Sequence, residues 1–153
     1  MNKSIDQLDR KILRILCDNG RASIVQLSEA TGLSQTPCKK RLHRLEAMGL
    51  ISGYGAKLDR VASGFGITAF VNVELESHKA EDILGFQKDI AHFDEIVTAA
   101  LMTGGQDFLL EVVVASLEEY EHFLQTRLAQ VDNIRNMRSR FALKKFIERN
   151  RIP

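Results

Sequence analysis

The chain is 153 residues long, room for one ordinary domain or two small ones. With 44% hydrophobic and 27% charged residues it matches a globular protein and excludes an intrinsically disordered one, and no run approaches the roughly 18 apolar residues that a membrane span needs. The net charge of +1 hides a polarised distribution: residues 1–60 carry eleven Lys/Arg against six Asp/Glu, residues 61–133 three against thirteen, and residues 134–153 seven against one, as in a modular chain whose basic part faces a polyanion.

The first sixty residues read as helices. Ser4 and Gln7 form a capping-box pattern ahead of Ile5, Leu8, Ile12, Ile15 and Leu16 at helical spacing, and Asp18-Asn19-Gly20 ends that helix with Gly20 as a left-handed cap. Ser23 and Gln26 are a second capping box, opening a helix through Ile24 and Leu27 to Thr31 that stops at Gly32. Ser34 caps a third helix, with Pro37 tolerated in its first turn, which runs to Met48 and closes at Gly49. The glycine-rich stretch Ile51 to Ala56 reads as a short strand and linker.

From Phe65 the period changes to two. Ile67, Ala69, Val71, Val73 and Leu75 alternate with Thr68, Phe70, Asn72 and Glu74, a strand with one better-buried face. A helix over Ala80 to His92 follows, then a strand over Ile96 to Thr103, a hairpin turn at Gly104-Gly105-Gln106, and a strand over Phe108 to Ala115. Ser116 with Glu119 caps a helix carrying Leu117, Tyr120, Leu124, Leu128 and Val131, and a last strand spans Ile134 to Phe146. The order βαββαβ is the ferredoxin-like split arrangement. The fold class is α+β, with the boundary between two domains, residues 1–60 and 61–153, near residues 59–64.

The two helices joined through Thr31-Gly32-Leu33 have the helix-turn-helix spacing, and the helix from Ser34 to Met48 is the recognition helix of that pair. On a helical wheel Cys38, Leu42 and Leu45 share one stripe, Thr36, Lys40, His43 and Arg44 lie opposite, and Lys39 and Arg41 flank them. Between Ser34 and Arg44 there are four Lys/Arg, one His and no acid. A helix fits the major groove and reads bases from its N-terminal end, so Ser34, Gln35, Thr36 and Lys40 are candidate base contacts. Lys39, Arg41, His43 and Arg44 are candidate phosphate contacts, and the helix N-terminus itself favours an anion. On this reading the partner is double-stranded DNA, and Lys40→Ala and Arg44→Ala weaken binding without unfolding the chain.

Several short motifs resemble, in order and spacing, the Lrp/AsnC (feast/famine, leucine-responsive) transcriptional regulators. They are Leu8-Asp9-Arg10-Lys11-Ile12-Leu13, Leu33-Ser34-Gln35-Thr36-Pro37-Cys38, Arg41-Leu42-His43-Arg44-Leu45-Glu46, Gly49-Leu50-Ile51-Ser52-Gly53-Tyr54 and Thr103-Gly104-Gly105-Gln106-Asp107-Phe108. The resemblance implies a winged-helix-like helix-turn-helix domain, a linker strand and a βαββαβ ligand-sensing domain that pairs through its sheet into homodimers, which assemble further, often as octamers. It implies a non-covalent effector, an amino acid such as leucine or methionine, bound where sensing domains of different dimers meet. The matching positions are Thr103, Gly104, Gly105, Gln106 and Asp107, with Met137 and Ser139 from a neighbouring subunit. Many members carry an acid directly after the first glycine of that turn, where this chain has Gly105. Asp107 is left either to hold the effector's ammonium or only to cap the hairpin.

The function expected is a sequence-specific transcriptional regulator whose assembly or DNA binding responds to an amino acid; the alternative is an amino-acid-binding oligomeric module without DNA binding. The acid in Met1–Asp6 and the isolated cysteines, Cys17 and Cys38, imply a cytoplasmic protein with reduced thiols rather than a secreted one, and a DNA-binding regulator there is expected to be nucleoid-associated. Cys38, on the buried stripe, reads as core rather than redox sensor. His78, His92 and His122 lack metal-ligand spacing and read as surface or packing residues, so no metal or cofactor is expected. No nucleophile–base order, phosphate loop or carboxylate pair suggests an enzyme. Phe141 and Phe146 lie among arginines on the last strand, yet no RNA-binding run accompanies them, and packing is the preferred reading.

Overall fold

A computed structural model describes residues 5–104 and 107–147. The chain divides into two compact units, one up to Lys57 with Ile147 grouped to it, the other Leu58–Phe146.

The first unit holds three helices, α1 (Gln7–Asp18), α2 (Ile24–Thr31) and α3 (Gln35–Ala47). Their apolar stripes meet on Ile12, Leu27, Cys38 and Leu45, all fully buried, with Leu42, Leu16 and Ile15 packed around them. The caps differ in part from expectation. Ser4 lies outside the described residues, and the N-cap of α1 is Asp6, whose carboxylate accepts the Asp9 N–H while Asp9 accepts the Asp6 N–H. Gly20 has no positive φ; Asn19 ends the helix in an extended conformation, and its side chain accepts the Arg21 N–H. Ser23 and Gln26 form the expected box, and Gly32 and Gly49 take the left-handed conformations (φ 73° and 71°) that end α2 and α3.

One interaction across this unit is absent from any helical wheel. The Asp9 side chain is fully buried and takes two guanidinium groups from α3: Arg41 Nη1 donates to Asp9 Oδ1 at 2.9 Å and to Asp6 Oδ2 at 2.6 Å, and Arg44 Nη2 donates to Asp9 Oδ2. Arg41 and Arg44 therefore fasten α3 to α1.

After α3 the stretch Ile51 to Ala56 carries no strand, since no ladder partner runs beside it. Its residues are tied back to the helices instead: the Tyr54 hydroxyl donates to Glu46 (2.8 Å) and Lys57 Nζ to the Cys17 carbonyl (2.9 Å).

The second unit is a four-stranded antiparallel sheet in the order β2-β3-β1-β4, from β1 (Ile67–Leu75), β2 (Ile96–Leu101), β3 (Phe108–Val114) and β4 (Ile134–Phe141), with α4 (Ala80–Ile90) and α5 (Leu117–Thr126). Alternate residues Ala69, Val71, Val73 and Leu75 of β1 and Phe108, Leu110, Val112 and Val114 of β3 form a core with Phe86 and Ile90 of α4 and Tyr120 and Phe123 of α5. Boundaries move from expectation: α4, β2 and β3 end one or two residues early, at Ile90, Leu101 and Val114, and three others move for visible reasons. Phe65 still closes a turn, its N–H bound to the Arg60 carbonyl at 2.7 Å, so β1 begins at Ile67. At Arg127 the chain leaves α5; that guanidinium grips Glu95 and lies over the Phe93 ring, and Leu128 is buried from a 3₁₀ turn rather than from the helix. β4 ends at Phe141, opposite Ala69, with one further bond from the Ala142 N–H to the Thr68 carbonyl at 2.9 Å.

Two outcomes follow from the α1–α3 clamp. Asp9→Ala removes both the capping box and the anion facing two arginines, and is expected to destabilise the helical unit by about 2–3 kcal/mol in urea unfolding, less than a fully buried pair because Arg44 is half exposed. The Asp9 N–H and then the Arg41 guanidinium hold the Asp6 carboxyl below its ordinary value of 3.8. Its contribution is therefore present above that pH and lost as pH falls through the lower folded value, so the melting temperature should drop more steeply in acid for the wild type than for Asp6→Asn.

Candidate nucleic-acid interface and ligand seat

The expected reading face of α3 is largely where the wheel puts it. Cys38 and Leu45 are buried and Leu42 half-buried, while Ser34, Gln35, Thr36, Lys39, Lys40, His43 and Arg44 are exposed. Ser34 stands at the N-cap in an extended conformation (φ −71°, ψ 161°) without a side-chain capping bond, and the first turn holds no acid. Its outward N–H groups and hydroxyl thus face solvent at the positive end of the helix dipole. Among the described residues neither Lys39 nor Lys40 has an ion-pair partner. The four α3 cations are consequently not alike. Arg41, 26% exposed, and Arg44, 49% exposed, pair with Asp9, so each is tied to α1 as well as facing solvent. His43 sits 3.2 Å from Glu46, itself held by Tyr54; the hydrogen bond from Tyr54, then His43, lowers the Glu46 carboxyl pKa.

The second cluster lies at one end of the sheet. Thr103 and Gly104 are exposed, Gly104 with φ 111°, and Gly105 and Gln106 lie outside the described residues. Asp107 anchors the turn to the central strand: its N–H donates to the Val73 carbonyl (3.0 Å), its carbonyl accepts the Met102 N–H (2.8 Å), and its carboxylate accepts the Leu75 N–H (2.6 Å). The other carboxylate oxygen is 2.8 Å from His78 Nε2. His78 carried no signal as a scattered histidine; it becomes visible only once β1 and β3 are paired, with Val73 opposite Phe108, so that the residues after β1 meet the residue before β3. Met137 and Ser139 pair with Val73 and Val71 on the other side of β1, and they point to the helix-covered face. Met137 packs on the core, and Ser139 accepts the Tyr120 hydroxyl at 2.5 Å. Within one chain β1 therefore separates them from the turn.

The face of the sheet without helices presents Phe70, Asn72 and Glu74 of β1 and Leu109, Glu111 and Val113 of β3. Asn72 is 7% exposed and its Nδ2 has no hydrogen-bond partner among the described residues. Glu111 accepts Arg60 (2.5 Å) and Lys145 (2.7 Å); burial raises its carboxyl pKa, but the two cations outweigh this and the net shift is downward.

Residues 5–52 match the winged helix-turn-helix DNA-binding family and residues 68–152 the Lrp/AsnC ligand binding domain. The chain is 36% identical over 149 residues to the Bkd operon transcriptional regulator of Pseudomonas aeruginosa, covering 97% of each, and 33% identical over 140 residues to the leucine-responsive regulatory protein of Rhizobium meliloti, covering 92% of this chain and 90% of that one. A transcriptional regulator of Neisseria meningitidis, solved as its L-Met complex, superposes with a TM-score of 0.93 at 30% identity over 98% of this chain and 97% of the other. These relatives are regulators rather than enzymes, and no helix among the described residues is long and apolar enough to cross a membrane. The chain belongs to the Lrp/AsnC family of DNA-binding transcriptional regulators.

Proposed function

We propose that this regulator acts in the cytoplasm, on the nucleoid, as a homo-oligomer. Residues 1–60 are its DNA-binding and linker part, and residues 61–153 its effector-binding and oligomerisation part. The observation that carries the DNA reading is the solvent-facing, acid-free face at the start of α3, backed by Cys38, Leu42 and Leu45. Ser34, Gln35, Thr36 and Lys40 read base edges in the major groove, and Lys39 and His43 meet phosphates. Arg41 and Arg44 reach the backbone only with the guanidinium edges that Asp6 and Asp9 leave exposed. Two recognition helices of a dimer then sit about 34 Å apart on a near-palindromic site.

The uncovered sheet face, with its half-buried Phe70 and the unpaired Asn72 amide, supports pairing of two copies there, and dimers gather into a tetramer of dimers. The turn Thr103, Gly104, Gly105, Gln106 and Asp107 seats an amino-acid effector, leucine or methionine, together with Met137 and Ser139 of a neighbouring subunit. The L-Met complex of the Neisseria regulator supports this class of ligand. The effector works by binding one arrangement of the assembly better than another.

Two measurements test these readings. In fluorescence anisotropy with operator DNA, Lys39→Ala should weaken binding to all sequences and reduce the salt slope by about one, and Lys40→Ala should weaken operator binding more than binding to random DNA, both with unchanged melting temperature; an unchanged affinity removes that residue from the interface. In a thermal-shift screen of the twenty amino acids, one present at about 100 times its Kd should add about 2.7 kcal/mol of stability, and Gly104→Val, forced into φ 111°, should abolish that gain.

A further inference from the structure

Of the eleven Lys/Arg in residues 1–60 only four lie on α3; three more, Arg10, Lys11 and Arg14, lie on α1. All three are exposed, and among the described residues none of their side chains has a hydrogen bond or an ion pair. The acids at the start of that helix are taken up by α3: Asp9 is fully buried against Arg41 and Arg44, and Asp6 accepts Arg41. Asp18, in the last turn, is the exposed acid that α1 keeps. Cations on a wet helix face need no partner, and what sets Arg10 and Arg14 apart is where the clamp puts them. Stepping about 100° per residue from Asp9, Asp6, Arg10 and Arg14 follow on one side at about 60°, 100° and 140°, with Ile12 and Leu16 on the other. Because Arg41 bonds Asp6, that side of α1 is the one beside Arg41. Arg10 stands one turn after Asp6, its N–H bonded to the Asp6 carbonyl at 3.0 Å, and Arg14 one turn further. The exposed parts of Arg44 and Arg41 and then Arg10 and Arg14 thus follow one another as a single basic track from α3 onto α1.

We propose that Arg10 and Arg14 make a second contact with duplex DNA: their guanidinium groups meet backbone phosphates beside the groove that α3 enters, a sequence-independent extension of the footprint onto α1. The assignment rests on α3 being the reading helix. Packed helices lie about 8–10 Å apart and the major groove is about 12 Å wide, so a helix fastened to the side of α3 stands over the groove's edge, where the phosphates run. Two residues four apart present their heads on the same side of a helix, and the planar fork of each arginine matches a pair of phosphate oxygens. The acidic stretch 61–133 of a second copy carries a complementary charge as well, three Lys/Arg against thirteen Asp/Glu. Continuity with the acid-free start of α3 favours DNA as the occupant.

The test is fluorescence anisotropy of the full chain over a range of salt, on a duplex enriched by binding from a random pool and on unselected random duplex, with light scattering of the same samples. Arg10→Gln combined with Arg14→Gln should lower the salt slope by about two for each bound copy and weaken both duplexes alike, about tenfold at about 0.1 M salt. The melting temperature should not move, since neither side chain has a partner among the described residues. Arg10→Lys with Arg14→Lys keeps the charges and should keep the slope. Lys88→Gln, which removes an exposed cation of α4, should leave binding unchanged. A wild-type slope and affinity in the double Gln variant overturns the contact, and so does a loss confined to the enriched duplex. An equal slope loss in Lys88→Gln shows general charge rather than contact and overturns it too. Unchanged DNA binding with a smaller particle in light scattering assigns the face to another copy instead. If Lys39→Ala lowers the slope while the double Gln variant does not, α3 stands and only the α1 contact falls; if neither does, the reading of α3 falls with it.

Discussion

Asp9 is a carboxylate with no solvent exposure, and it is placed by a backbone device rather than by chance: it is the third residue of the helix that Asp6 caps, so the cap that starts α1 also fixes the acid. A buried charge of this kind is tolerable only with its counter-charges in place, and α3 supplies two. The orientation of α3 on α1 is thereby set by charge pairing at one side and by Cys38 and Leu45 against Ile12 and Leu27 at the other. Everything the helix presents outward depends on that seating. Its cations divide into a pair that builds the unit and a pair, Lys39 and Lys40, that the unit leaves to solvent.

The sheet unit uses the same economy. Asp107 ends a hairpin, yet its N–H and carboxylate both bind the end of β1, so the turn is registered against the central strand rather than only against its own hairpin. The end of the β2–β3 hairpin is thereby tied to a strand that is itself paired on both sides. Glu111 works comparably at mid-strand, drawing Arg60 and Lys145, from two distant stretches of chain, to one point of the uncovered face.

Much of this was readable beforehand, for identifiable reasons. The strands of the sheet follow from period-two burial and the helices from stripes and caps, because those signals are local. The core stripe of α3 followed from spacing alone. Asp9 with Arg41 and Arg44, and His78 with Asp107, did not, since each joins residues about thirty apart and depends on how elements pack. Charge type marks Arg41 and Arg44 as candidate phosphate contacts, but it does not show that a buried acid on another helix also pairs with them. The cap of α1 was misplaced by two residues because Ser4–Gln7 and Asp6–Asp9 both satisfy the same pattern, and spacing does not rank them. The strand expected at Ile51 to Ala56 failed because extended propensity forms a ladder only where another segment lies alongside.

The connection between the units has its own logic. Tyr54 and Lys57 bind Glu46 and the Cys17 carbonyl on the helical side, and Arg60 binds Glu111 on the sheet side. Each of these attachments stays within its own unit, and only Leu58 and Asp59 lie between them. Evolution, or a protein engineer, can therefore splice at that dipeptide without tearing any of these bonds, provided each module keeps its own half of the tether and the second crossing, before Ile147, is carried along with the helical unit.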